Sequence, residues 1–192
     1  MNINAGWRTV SRPSASSTRY LCPLLVALAL SGLLACSRAP QPAAQKTAAV
    51  DQTPQFATIV HMGDPRSASQ LLAGFYGIEA GSWRWTGKQF AVELGTPYGA
   101  ATKGAALELN FSIPAVVIEK SKSLTLSASA ADTPLPPETY SAPGAFTYRR
   151  DVPAALLAHD SVKIVFTLDK TFLPGGGDLR QLGIVTSAVS LK

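Results

Sequence analysis

The sequence predicts an all-β fold, an antiparallel β-sandwich with one or two short helices, preceded by a signal peptide and a flexible linker. Three observations predict this fold. Apolar and polar residues alternate with a period of two in several separate stretches, as they do in strands with one buried face. Turn signals rich in Gly and Pro separate these stretches. Of the 192 residues, 46% are hydrophobic and 15% are charged, which favours a packed core over disorder.

The strands and helices are predicted from local pattern. The clearest alternation runs from Leu107 to Ile113. In chain order, the predicted strands are 89–94, 107–113, 124–128, 162–168 and 183–189. Short helices are predicted at 67–73 and 153–158, and turns at 95–97, 132–134, 142–144 and 174–178.

Short strands that are apolar on one face and polar on the other are expected to form two sheets packed face to face. A jelly-roll or galactose-binding-like sandwich is the first interpretation, and an immunoglobulin-like sandwich is the second. Cys22 and Cys36 are the two cysteines, and Cys22 lies in the predicted leader. A mature chain with one cysteine has no internal disulfide and no cysteine-type zinc site, so no cofactor or metal is predicted.

Residues 1–35 have the features of a secretory signal peptide. A polar segment with three arginines and no acid precedes an apolar stretch that runs from 21 to 35. That stretch is shorter than the roughly 20 apolar residues needed to cross a bilayer. We therefore expect export and removal of the leader rather than a membrane-spanning helix.

The leader ends in Leu33-Leu34-Ala35-Cys36, which resembles the lipobox of bacterial lipoproteins. The resemblance implies that Cys36 is lipid-modified after cleavage behind Ala35 and that it attaches the chain to a membrane. Ser37, rather than Asp, follows the cysteine, which by the same analogy favours the outer membrane over the inner one. Residues 36–54 lack aromatics and periodicity, so they are expected to form a flexible linker to one domain, 55–192.

The net charge of +5 does not indicate nucleic-acid binding. Three of the basic residues lie in the leader, which has no acid, and the remainder has 14 basic and 12 acidic residues, a balance of +2. The basic residues form no run interleaved with aromatics. We therefore predict no nucleic-acid partner.

An aromatic stretch between 74 and 86 is the most distinctive motif of the predicted domain. Phe75-Tyr76, Glu79 and Arg84-Trp85-Thr86 occur in it in this order. This pattern resembles β-sandwich modules attached to bacterial glycosyltransferases and cell-envelope polysaccharide proteins. The resemblance covers most of residues 70–192, and it implies a sandwich fold more strongly than an activity.

Two interpretations of this motif stay open. In a strand, Trp83 and Trp85 lie on one face and Arg84 on the other. The indoles could stack on sugar rings, helped by Tyr98 in a nearby loop, while Glu79 and Arg84 hydrogen-bond to hydroxyls. Alternatively, the indoles fill the core, and Arg84 pairs with Glu79 or another acid.

The sequence contains no recognisable catalytic constellation. The two histidines are far apart, and no spacing selects a pair of carboxylates for glycoside cleavage. We therefore predict a non-enzymatic module, tethered through Cys36, that binds envelope carbohydrate. The alternative is a structural or assembly lipoprotein that binds a protein partner in the envelope.

Overall fold

The computed structural model describes residues 55–192. The predicted leader, Cys36 and the linker lie outside the described residues. Within them, no helix is long and apolar enough to span a membrane. The elements are β1 (Ile59–His61), a 3₁₀ turn (Pro65–Gln70), β2 (Leu71–Phe75), β3 (Arg84–Gly95), α1 (Ala100–Lys103), β4 (Ala105–Ile113), α2 (Ala115–Ser121), β5 (Leu124–Ala130), β6 (Thr133–Tyr140), β7 (Gly144–Val152), a 3₁₀ turn (Ala154–Leu156), β8 (Ser161–Leu168) and β9 (Val185–Leu191).

The strands form two antiparallel layers that share β3. The hydrogen-bonded path is β6-β5-β8-β3-β9-β4-β7, with β1 paired to β9 and β2 paired to β3. Arg84 and Trp85 pair with β9 in one layer, whereas Gln89–Gly95 pairs with β8 in the other. The predicted fold class, an antiparallel β-sandwich with few short helices, is confirmed.

The core lies between the two layers, where the alternating apolar faces meet. In β4 and β8 every second residue is buried, as the period of two predicts. Tyr148 of β7 packs edge-on against Phe166 of β8 at 6.4 Å between ring centres. Phe111 of β4 packs against Tyr140 of β6 at 5.3 Å. These aromatic contacts join the two layers, so the inward faces form one core.

Several local predictions differ from the structure. The helix expected at 67–73 is confirmed in part, because residues 67–70 belong to a 3₁₀ helix, whereas residues 71–73 lie in β2. Strand β6 was not predicted, since its Pro134, Pro136 and Pro137 lack the amide hydrogen that a strand needs. It tolerates them because it lies at the edge of its layer, bonded to β5 alone. The helices α1 and α2 were also not predicted.

The connections separate into two ends of the sandwich. At the entry end, defined by 55–58, 96–104 and 153–160, the Gly95 amide donates to Ala57 O at 3.0 Å. At the opposite end, defined by Trp85, α2 and the connection 169–184, the chain passes from β4 to β5 and from β8 to β9. We call this second end the aromatic end.

Candidate functional site

A tight turn places Trp83 immediately before β3. The Glu79 amide donates to Trp83 O at 2.8 Å, and the Ser82 amide donates to Glu79 O at 3.1 Å. Ala80 and Gly81 have positive φ values of 46° and 65°, which this reversal of the chain requires. The turn therefore fixes the backbone from which Trp83 projects.

Three aromatic side chains form a continuous row, which we call the aromatic strip: Trp83, Trp85 and Phe172. The ring centres of Trp83 and Trp85 are 6.4 Å apart at 84° between planes, and those of Trp85 and Phe172 are 5.8 Å apart at 65°. Both indoles are half-buried, and Phe172 is buried. Trp85 packs against the core. The strip thus begins inside the domain and reaches its surface at Trp83.

Arg84 is held by backbone carbonyls. Its Nε donates to Met62 O at 3.0 Å, and its Nη1 donates to Tyr76 O at 2.9 Å. The alternative in which Arg84 pairs with Glu79 or another acid is wrong, because Arg84 donates to these carbonyls and Glu79 bonds to Arg180. Arg84 therefore fixes the start of β3 against the two preceding segments.

Arg180 organises the acids beside the strip. It donates to Glu79 Oε1 at 2.9 Å and to Asp178 Oδ2 at 2.8 Å, and its guanidinium lies 5.3 Å from the centre of the Tyr76 ring. The hydrogen bonds from the Arg180 side chain and amide lower the pKa of Asp178 below its ordinary value. The same carboxylates raise the pKa of Arg180. Both shifts favour the charged forms of Asp178 and Arg180.

The structure separates Tyr98 from the tryptophans. Tyr98 is fully exposed in the connection that follows β3, at the entry end. Residues 87–95 lie between the two places, and at about 3.3 Å per residue they span roughly 26 Å. The grouping of Tyr98 with Trp83 and Trp85 in one site is therefore wrong.

A pocket of about 170 Å³ opens beside Phe172. The ammonium of Lys120 lies 5.5 Å from the centre of the Phe172 ring and donates to Leu173 O at 3.2 Å. Lys170 donates to the carbonyls of Ser121 and Ser123, both at 3.0 Å. The pocket is lined by Val117, Lys120, Ser121, Lys170, Thr171 and Phe172.

A second, more open pocket of about 440 Å³ lies at the entry end. It has no aromatic lining residue, and it combines Lys103 and Asp151 with backbone of β4 and β7. No group of three or more metal-ligating side chains occurs between residues 55 and 192.

Phe172, Lys120 and Arg180 are site residues that sequence reasoning missed. Each belongs to a segment far along the chain from Trp83, and no local pattern connects them. For Phe172 and Arg180, the sequence offered one signal. They lie in the long connection 169–184, and long loops often carry functional residues.

No protein-family model matches the chain, and no curated protein matches it. Among solved structures, it overlaps with a chain from work on CBM4 structure and function, at 16% identity and a TM-score of 0.34, over 70% of this chain and 85% of that one. It also overlaps with a family GH115 4-O-methyl-α-glucuronidase with specificity for decorated arabinogalactans, at 12% identity and a TM-score of 0.32. That overlap covers 57% of this chain and 14% of the enzyme. At these TM-scores the overlaps carry no argument about function.

Proposed function

We propose that the chain is an envelope lipoprotein whose sandwich is a non-catalytic carbohydrate-binding module, tethered by lipid on Cys36. The observation that carries the proposal is the aromatic strip, which emerges at Trp83 beside charged side chains. Aromatic faces suit the C–H faces of sugar rings, and nearby polar groups suit the hydroxyls.

The strip is built as a rigid platform. Trp85 packs against the core and against Phe172, and Trp83 packs edge-on against Trp85. A side chain that is already fixed loses little conformational entropy when a ligand binds, so more of the contact energy remains as affinity. The turn at Glu79 and the bonds of Arg84 to backbone carbonyls restrain the same segment.

The acids near the strip support a binding role over glycoside cleavage. Glu79 and Asp178 are both bonded to Arg180. A general acid needs a proton near neutral pH, whereas the pKa of Asp178 is lowered. Two carboxylates that share one guanidinium form a structural ion cluster.

The described part of the chain begins at the end of the sandwich opposite the aromatic strip. The first described residues pack at the entry end, where Ala57 bonds to Gly95 and to Gln70. The aromatic end is formed by other segments. We propose that Cys36 and its lipid attach the domain to the outer membrane.

One observation favours the second candidate, a module that binds an envelope protein. Three apolar side chains near the strip are exposed: Val116, Leu173 at 57% and Leu179 at 89%. All three belong to segments at the aromatic end, and exposed apolar side chains at one end of a domain suit contact with another protein.

Affinity electrophoresis of the domain through gels with soluble polysaccharides tests the carbohydrate proposal. We expect retardation by at least one polysaccharide and its loss in Trp83→Ala. Tyr98→Ala is the matched control, because it removes an exposed aromatic at the entry end, and it should be retarded like wild type. Equal retardation of Trp83→Ala and wild type, or no retardation of wild type, would overturn the proposal.

A further inference from the structure

We propose that the pocket lined by Lys120 and Lys170 binds the carboxylate of an acidic sugar, so that the ligand is a uronic-acid-containing polysaccharide. This inference rests on the proposed carbohydrate-binding function and specifies its ligand class.

The pocket continues the aromatic strip. Phe172 belongs to both, since it contacts Trp85 and also lines the pocket. A saccharide chain that stacks on Trp83 reaches the two lysines if it extends along the surface over Trp85 and the edge of Phe172. The pocket volume of about 170 Å³ is large enough for the carboxylate of a sugar residue.

The lining is positive and contains no carboxylate. Lys120 and Lys170 contribute the ammonium groups, and the other four lining residues are uncharged. The nearest acid to Lys170 is Asp169 at 3.9 Å, and Asp169 accepts the Thr125 amide at 2.7 Å. Glu79 and Asp178 are bonded to Arg180. The pocket wall therefore contains no carboxylate, and a bound acid would compete with Asp169 for Lys170 alone.

The two lysines differ in how many of their hydrogen-bond donors are already used within the protein. Lys170 donates to the carbonyls of Ser121 and Ser123, and these bonds hold its ammonium at the end of α2. Lys120 makes one bond, to Leu173 O. An ammonium has three donors, so Lys120 keeps two for a ligand. Lys120 is thus the direct contact, and Lys170 adds a fixed positive charge.

This arrangement predicts selection by charge. A charge-assisted hydrogen bond from Lys120 to a carboxylate is stronger than one to a hydroxyl. Because the pocket is open to solvent, the preference for the acid should weaken as salt concentration rises.

The experiment measures binding by calorimetry to polygalacturonate, alginate and hyaluronate, each beside its carboxyl-reduced form. We expect at least one acid to bind about tenfold more tightly than its reduced form. Lys120→Met should remove that difference, because binding to the acid weakens far more than binding to the reduced form. Lys88→Met, which removes an exposed charge of β3 outside the pocket, should keep the difference.

Each outcome separates this inference from the proposed function. Equal binding of an acid and its reduced form, with loss of both in Trp83→Ala, would overturn the acidic ligand and keep the carbohydrate module. An acid preference that survives Lys120→Met, or that is lost equally in Lys88→Met, would overturn the assignment to this pocket. Binding to none of the six polymers would overturn the inference.

Discussion

Tyr148 and Arg150 both donate a hydrogen bond to one carbonyl oxygen, that of Pro136. The Tyr148 hydroxyl and the Arg150 Nε each lie 2.7 Å from it, and the guanidinium lies 4.2 Å from the centre of the Tyr148 ring. Arg150 also donates to Pro137 O and to Glu138. These bonds join β7 to β6, the two strands at opposite ends of the hydrogen-bonded path. Side-chain hydrogen bonds thus connect β6 and β7, which are not joined by backbone strand pairing.

Arg150→Met should destabilise the domain. The substitution removes one of the two donors to Pro136 O, the donor to Pro137 O and the partner of Glu138. We expect the free energy of unfolding, measured by urea denaturation, to fall by about 2–3 kcal/mol. Arg149→Met is the matched control, since Arg149 is exposed and pairs with Glu108 on the outer face. An equal loss in both variants would contradict the role of Arg150.

Two tyrosine-to-phenylalanine substitutions should act in opposite directions. The Tyr148 hydroxyl is buried and bonded, so Tyr148→Phe should cost about 1 kcal/mol of unfolding free energy. The Tyr140 hydroxyl is buried and has no hydrogen-bond partner among residues 55–192. Tyr140→Phe removes that unpaired group and should leave stability unchanged or increase it by up to about 1 kcal/mol. Thermal denaturation ranks the variants, and a large loss in Tyr140→Phe would contradict this account.

The same tyrosines predict instability in alkali. Burial raises the pKa of Tyr148 and of Tyr140 above the ordinary value of 10.0. Because the raised pKa values belong to the folded state, the unfolded chain loses these protons first. The stability from keeping both phenols neutral is fully present below pH 10 and decreases as pH rises through the folded-state pKa values.

The measurement is phenolate absorbance against pH, with and without urea. In the native protein, Tyr140 and Tyr148 should lose their protons at higher pH than in the urea-unfolded chain, so part of the absorbance change should shift to higher pH. The gap between the two curves should narrow in Tyr140→Phe. Coincident native and unfolded curves would show that burial does not protect these groups.

Cys36→Ser should release the protein from the membrane. Without the thiol there is no acyl acceptor, and stable anchoring needs two or more buried chains. We expect wild type in the outer-membrane fraction, with a mature mass that includes the acyl groups. Cys22→Ser is the matched control, since Cys22 lies in the predicted leader. Membrane attachment that persists in Cys36→Ser, or an uncleaved leader in wild type, would disprove the tether.

Local alternation of apolar and polar residues was sufficient to predict five of the strands. The predicted strands 89–94, 107–113, 124–128 and 162–168 lie inside observed strands, and 183–189 overlaps β9. A period of two can be recognised from adjacent residues, because successive side chains in a strand point to opposite faces of the sheet. The same signal was missing from β6, where prolines interrupt it.

The tertiary structure alone decided which side chains meet. It separated Tyr98 from Trp83, assigned Glu79 to Arg180, and brought Phe172 against Trp85. Such pairings depend on how the layers fold over one another, and no residue carries information about a neighbour that is a hundred positions away. Sequence pattern therefore predicted the two faces of each strand, while layer packing created the strip and the pocket.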